Sequence, residues 1–151
     1  MIGQVAAAVI GTVAFSVLYS VPREYYPYCG FTGGVGWLVY CVLIPGASAP
    51  EATFFAAILV VALSRWFAVK ERCPVTVFLI SGIFPLVPGG GVYWTAYYIV
   101  TGQMELAAQT GFTALKVAVA IVLGIALVFQ LPQKVFGGKR HGRKEEKRQK
   151  E

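Results

Sequence analysis

The segment Pro85-Leu86-Val87-Pro88-Gly89-Gly90-Gly91 is the part of this chain best suited to hold something other than protein or lipid. It lies inside Cys73–Met104, a run of 32 residues without a charge. Each proline removes a backbone donor and crowds the preceding turn, and consecutive glycines favour unwinding. Hydrocarbon cannot satisfy the freed amides and carbonyls, so broken backbone at membrane depth is buried in protein or lines a watery cavity. In transporters such broken helices commonly form the substrate site. Pro85, Pro88, Gly89 and Gly90 are therefore candidate substrate-binding positions. The half-helix opening at Val92 would favour a carboxylate through its N-terminal dipole.

Three side chains could add to that site. Arg65 falls a few residues from the inner end of an apolar stretch. It either snorkels beside the belt aromatic Trp66 or reaches a substrate or backbone carbonyls. Lys116 is about 15 Å into the last apolar stretch, where snorkelling is hardest and an ionisable group is a functional candidate. It could meet an anionic solute, a carboxylate on another chain, or carbonyls freed at the break. Tyr93 and Trp94 follow the break closely enough to line a cavity and donate a hydrogen bond, whereas Tyr97 and Tyr98 suit an outer aromatic belt. Other chemistry lacks its parts. There is no Asp, Glu24, Glu51, Glu71 and Glu105 lie at the edges of apolar stretches, and the sole histidine, His141, sits in a basic tail. No metal ligand set, nucleophile–base pair or phosphate loop is present, which argues against an enzyme and against any cofactor. Proton coupling would need one of the boundary glutamates or an acid on another subunit.

The elements that must position these residues are apolar helices. The chain is 57% hydrophobic and 13% charged, with a mean hydropathy of +0.67, well outside the soluble range. Five apolar segments emerge, Ile2–Val21, Tyr28–Pro45, Ala52–Val69, Pro74–Thr101 and Leu106–Leu131. The portions flanking the heptad are each about 16 Å if helical, which puts the break near the bilayer midplane. The expected fold is an all-α membrane protein of about five transmembrane helices, the fourth broken at the Pro/Gly motif. Residues 1–132 form the transmembrane domain and 133–151 a basic cytoplasmic tail. The alternation of basic and non-basic connections predicts an outside N-terminus and a cytoplasmic C-terminus. Anionic lipid is the expected partner of the tail, and nucleic acid is not. Cys29, Cys41 and Cys73 suit packing rather than disulfides. Gly3, Ala7 and Gly11, and Gly30 with Gly34, suit close helix contacts.

Several strings resemble the smaller, C-terminal-type module of threonine/serine exporters. They are Val21-Pro22-Arg23, Tyr28-Cys29-Gly30, Gly33-Gly34-Val35-Gly36-Trp37, Ser64-Arg65-Trp66, Cys73-Pro74-Val75-Thr76-Val77-Phe78, and Ile83-Phe84-Pro85-Leu86-Val87-Pro88-Gly89 with Tyr93. The resemblance runs over roughly Val9–Pro132. It places Arg65, Pro85, Pro88, Gly89 and Tyr93 on family motifs, and gives Lys116 and the tail no support. It implies one half of a secondary exporter in the cell (inner) membrane, working with a larger subunit of about five spans. The solute would be small and carboxylated, of the threonine/serine type, or a dicarboxylate such as succinate. A non-transporting assembly or stabilising subunit is the alternative reading.

Overall fold

The computed structural model describes residues 2–132; the basic tail expected over 133–151 lies outside them. Among the described residues all regular structure is helical. Helix α1 is Ile2–Leu18, and a 3-10 turn at Arg23–Tyr25 leads into α2, Tyr26–Leu43. Helix α3 is Ala49–Glu71, and α4, Thr76–Ile83, runs into a 3-10 turn at Phe84–Leu86. Helices α5, Gly89–Val100, and α6, Met104–Gln130, complete the fold. Helices α3 and α6 are each long and apolar enough to cross a membrane, and α4 with α5 makes a third span if the pair, bent by 46°, is taken as one. Helix α1, at 17 residues, is a shorter apolar helix. Length and composition thus give two or three crossings where the sequence suggested five.

Local chemistry sets the boundaries. Ser48 and Glu51 form a capping box at the start of α3, and Pro50 occupies the first turn, where its missing N–H costs nothing. The Glu51 carboxylate accepts the Ser48 backbone N–H at 2.8 Å. At the other end Arg72 turns left-handed, with φ 55°, and lets the Cys73 N–H reach back to the Ala68 carbonyl at 3.1 Å. The three cysteines are free thiols, and Cys29 is buried.

Small residues bring the helices together. Helices α1 and α2 run antiparallel, with Gly30 against Val13 and Gly34 against Val5 and Val9. Gly33 is the tightest of these positions, since an added Cβ would stand 2.1 Å from the Thr12 Oγ1. Gly36 of α2 meets Val60 of α3, and Ala52, Ala56, Ala57, Val60 and Val61 of α3 are fully buried. The Gly3 and Gly11 positions face open space within the chain, so that half of the expected small-residue pattern makes no internal contact.

Helices α3 and α6 run parallel, because contacts advance along both together. Gly124 packs on Ala57, and further on Arg65 reaches the carbonyls of Val128 and Leu131, the latter at 2.9 Å. Two sequential long helices can be parallel only if the chain between them returns across the structure. The 46° bend between α4 and α5 deflects the chain without reversing it, so α4 and α5 together make that return.

Arg65 closes the bottom of this pair. Its residue is 6% exposed, and its guanidinium also sits 5.6 Å from the centre of the Phe129 ring. The last carbonyls of a helix have no intrahelical donor and carry the negative end of its dipole. A planar guanidinium satisfies two of them at once. Of the readings open for Arg65 from the sequence, the structure shows the backbone-carbonyl contact; the side chain turns into α6 rather than out beside Trp66, which is 51% exposed.

Two outcomes follow for stability. Gly33→Ala should cost about 1–3 kcal/mol through overpacking and lower the thermal unfolding midpoint in detergent, whereas Gly11→Ala should leave it unchanged. Arg65→Met should lower that midpoint by removing charge-assisted bonds worth about 1.5–3 kcal/mol each, with Arg65→Lys intermediate because an ammonium keeps the charge but loses the planar contact with the Phe129 ring.

Candidate functional site

The break is narrower than the sequence suggested. Gly89, Gly90 and Gly91 do not unwind; they form the first turn of α5. Only Val87, extended at ψ 131°, and Pro88, at ψ 49°, leave helical geometry. The fixed φ of Pro88 suits a helix start. The glycines are used for proximity instead, since a Cβ on Gly91 would meet that of Ala114 at 3.0 Å. The Val92 N–H already bonds the Pro88 carbonyl at 3.1 Å, so it is not the helix opening. The N–H groups left over by helix geometry are those of the first turn just before it, at Gly90 and Gly91.

Those two glycines face a cavity of about 340 Å³, which is shared by α2, α3, the break and α6. Pro85, Leu86, Val87 and Pro88 form one wall, Trp37 and Tyr40 of α2 and Thr53 of α3 another, and Thr110, Thr113, Ala114 and Val117 of α6 the third. This is the lower end of the size range for small-molecule sites. None of the lining residues is ionisable except the Tyr40 phenol.

The polar groups are of two kinds. The Trp37 Nε1 is buried and has no hydrogen-bond partner, while its ring packs on Tyr40 with centroids 5.1 Å apart. A buried indole N–H without an acceptor forfeits roughly 1–3 kcal/mol, and such exceptions call for an explanation. Trp37 lines the cavity as a residue, and the Gly90 and Gly91 amides at the positive end of α5 are donors suited to a carboxylate. The hydroxyls of Thr53 and Thr113 donate to the Ala49 and Gln109 carbonyls, at 2.7 and 2.9 Å. Their oxygens keep lone pairs for an ammonium or hydroxyl hydrogen.

The residues singled out from the sequence divide between this cavity and other places. Pro85, Pro88 and Gly90 line it. Gly89 does not, and a Cβ there would meet nothing within 4 Å. Tyr93 is 64% exposed on α5 and Trp94 49%, so both turn away. Arg65 is committed to the end of α6. Lys116 lies on the outward side of α6, its Nζ 4.7 Å from the Phe112 ring centre. Neither cation lines the cavity, because Thr110, Thr113, Ala114 and Val117 present the inner stripe of α6 and Lys116 falls on the neighbouring one. Trp37, Tyr40, Thr53, Thr110 and Thr113 were not anticipated. The Thr110–Thr113 spacing of one helical turn was the available signal.

The height of the cavity also differs from the arithmetic of half-lengths. The break is central within α4–α5, yet Thr53 is one turn from the start of α3 and Tyr40 one turn from the end of α2. Above that level α5 packs on α6, Thr95 against Gly111, and α5 has no buried residue.

In comparison with known families, residues 4–130 match the one described as "Threonine/Serine exporter, ThrE". No solved structure matches the chain.

Filling the cavity should be separable from disturbing the fold at Gly90, which lines it and where an added Cβ meets nothing within 4 Å. Gly90→Leu should abolish solute flux, whereas Gly89→Leu, at a residue that does not line the cavity, should retain most of it. Flux normalised to membrane level in the same cells checks both.

Proposed function

The chain belongs to the threonine/serine exporter family, and on that premise we propose that it is one subunit of a secondary exporter whose solute occupies the cavity beside the Val87–Pro88 break. Membership makes it an exporter-type membrane transporter subunit. The preferred solute is a small zwitterionic amino acid, threonine or serine first. Its carboxylate takes the Trp37 N–H and the Gly90 and Gly91 amides, while its ammonium and hydroxyl take the Thr53, Thr113 and Tyr40 oxygens. What supports this reading is a cavity walled by the start of α5 and by the threonines of α3 and α6, beside a buried Trp37 Nε1 that has no hydrogen-bond partner. A dicarboxylate such as succinate ranks second, since two negative charges would find only helix-dipole compensation and no cationic side chain there.

The cavity is walled by this chain along α2, α3, the break and α6. A larger partner of about five spans would complete it, with alternating access around the site. Five segments, α1, α2, α3, α4–α5 and α6, then cross the inner membrane from an outside N-terminus to a cytoplasmic C-terminus. The parallel course of α3 and α6 supports an odd number of crossings from one to the other. The basic tail would sit against anionic lipid on the inside.

The test is efflux from cells preloaded with labelled threonine, serine or succinate, expressing this chain, a candidate larger subunit, or both. Efflux of threonine or serine only from cells with both is the expected result. Trp37→Phe should lower the apparent affinity about tenfold or more, the scale of one lost hydrogen bond to a charged group. Export unaffected by Trp37→Phe and Gly90→Leu would place the solute elsewhere. A pair that assembles but moves no solute would favour an assembly subunit.

A further inference from the structure

The solute cavity lies between two parts of the chain that are joined in only a few places. Helices α1, α3 and α4 all pack on α2, and α3 also packs on α4. Helix α5 packs chiefly on α6, and α6 packs chiefly on α3 and α5. The α5–α6 pair is thus held to the other four helices mainly by the α3–α6 seam and by the chain link at the break. In that link Val87 and Pro88 leave helical geometry, and a Cβ added at Gly89 or Gly90 would meet nothing within 4 Å. No neighbour obstructs rotation there, and hinges are a few element-terminal residues of this kind. The break is level with Ala114, which Gly91 touches, so it stands at the cavity end of the seam.

Away from the cavity the seam is shut. Val117 is the last residue of α6 to line the cavity, and from there to Leu131 is about 21 Å along the axis. Over that length Val117 and Ile121 are buried with Ala56, Ala57 and Val60 of α3. A Cβ on Gly124 would stand 3.1 Å from that of Ala57. Among the described residues, the hydrogen bonds that cross the seam come from Arg65, to the Val128 and Leu131 carbonyls at the end far from the break. An apolar seam can part without stranding a buried donor. Its polar contact lies where parting would admit water to replace it.

We infer that the α3–α6 seam parts during transport, with the α5–α6 pair swinging on Val87–Pro88, and that Arg65 is the latch setting how readily it opens. The inference rests on the exporter reading above and names the contact that moves. A solute beside the break has the length of the seam between it and the far end of α6. Parting the seam opens that route from the far end, and closing it leaves the cavity near the α2–α3 connection. Arg65 touches no solute. It is a positioning residue that acts through the last turn of α6, where a hinge at the opposite end gives it the longest arm.

The test uses the full chain with its candidate larger subunit, carrying Ile121→Cys in a background without Cys29, Cys41 and Cys73. A small hydrophilic maleimide reacts only where water reaches a thiol, so position 121 reports parting of the seam. Labelling during threonine efflux is expected, and Arg65→Lys should speed it about tenfold or more at equal membrane level. Cys29, kept as the sole cysteine in a second chain, is buried and bonded to the Val77 carbonyl of α4. It should stay unlabelled with either residue at 65, whereas labelling there in parallel with 121 would mean general loosening and overturn the hinge. A second arm joins Ala57→Cys to Gly124→Cys, whose Cβ atoms lie near the spacing of roughly 3.5–4.5 Å that a disulfide spans. Diamide takes up the two electrons and two protons released as the thiols join. Oxidation should stop efflux and a reductant restore it, although the crosslink only fixes a contact already present. Efflux indifferent to the crosslink, or a thiol at 121 that never labels during efflux, would overturn the inference and leave the exporter reading intact. A thiol at 121 that labels in a pair exporting no solute would support the hinge and remove the exporter reading.

Discussion

Backbone that leaves helical geometry among apolar surroundings must be covered by protein, and the arrangement around Val87 and Pro88 answers to that constraint. Pro85 and Pro88 withhold two N–H groups from the helical ladder, and a short 3-10 turn absorbs part of the loss. The remaining exposed backbone is walled by α2, α3 and α6. Bringing three helices to one break requires close approach elsewhere, which the glycines of α2 and the alanines and valines of α3 provide. It also requires α6 to stand beside α3 in fixed register, and Arg65 sets that register at the opposite end.

The same constraint yields a site without ionised side chains. On the proposed reading, a carboxylate brought here would meet two helix-terminal amides and a half-helix dipole beside Trp37 rather than a cation. Such preorganised dipoles stabilise charge without a counter-ion whose own desolvation would offset the gain. They also let the solute leave, since no buried full charge is stranded when it does. Neither candidate cation enters the cavity: Arg65 ties α3 to α6, and Lys116 faces the groove outside the bundle.

Much of this was legible in the residues. The all-helical class followed from composition, the segment order from charge punctuation, and the break from Pro85–Gly91. Family membership followed from strings such as Ser64-Arg65-Trp66 and Pro85-Leu86-Val87-Pro88-Gly89. Legibility ended where a property depends on another helix. Gly89–Gly91 read as unwound because glycine is a poor helix former in isolation, but Gly91 is there for contact with Ala114. Arg65 read either as snorkelling beside Trp66 or as reaching a substrate or backbone carbonyls, and only the position of the α6 terminus shows the carbonyl contact. Trp37 entered only as the end of the Gly33–Trp37 string, and its unsatisfied N–H becomes visible only once the helices pack around it. Chain length alone put the break at mid-depth, whereas the register of α3 against α6 puts it one turn from the α2–α3 connection.

The most direct measurement of the central claim is solute protection of a thiol inside the cavity. In a chain with Cys29, Cys41 and Cys73 replaced, co-expressed with its partner, Thr110→Cys would be alkylated with a small reagent in the presence and absence of threonine or serine. Exposed Val100→Cys serves as the control. Occupancy of the break cavity predicts that threonine slows labelling at position 110 in a saturable way and leaves position 100 unaffected. Equal labelling at position 110 with and without solute, in cells that export threonine, would contradict it.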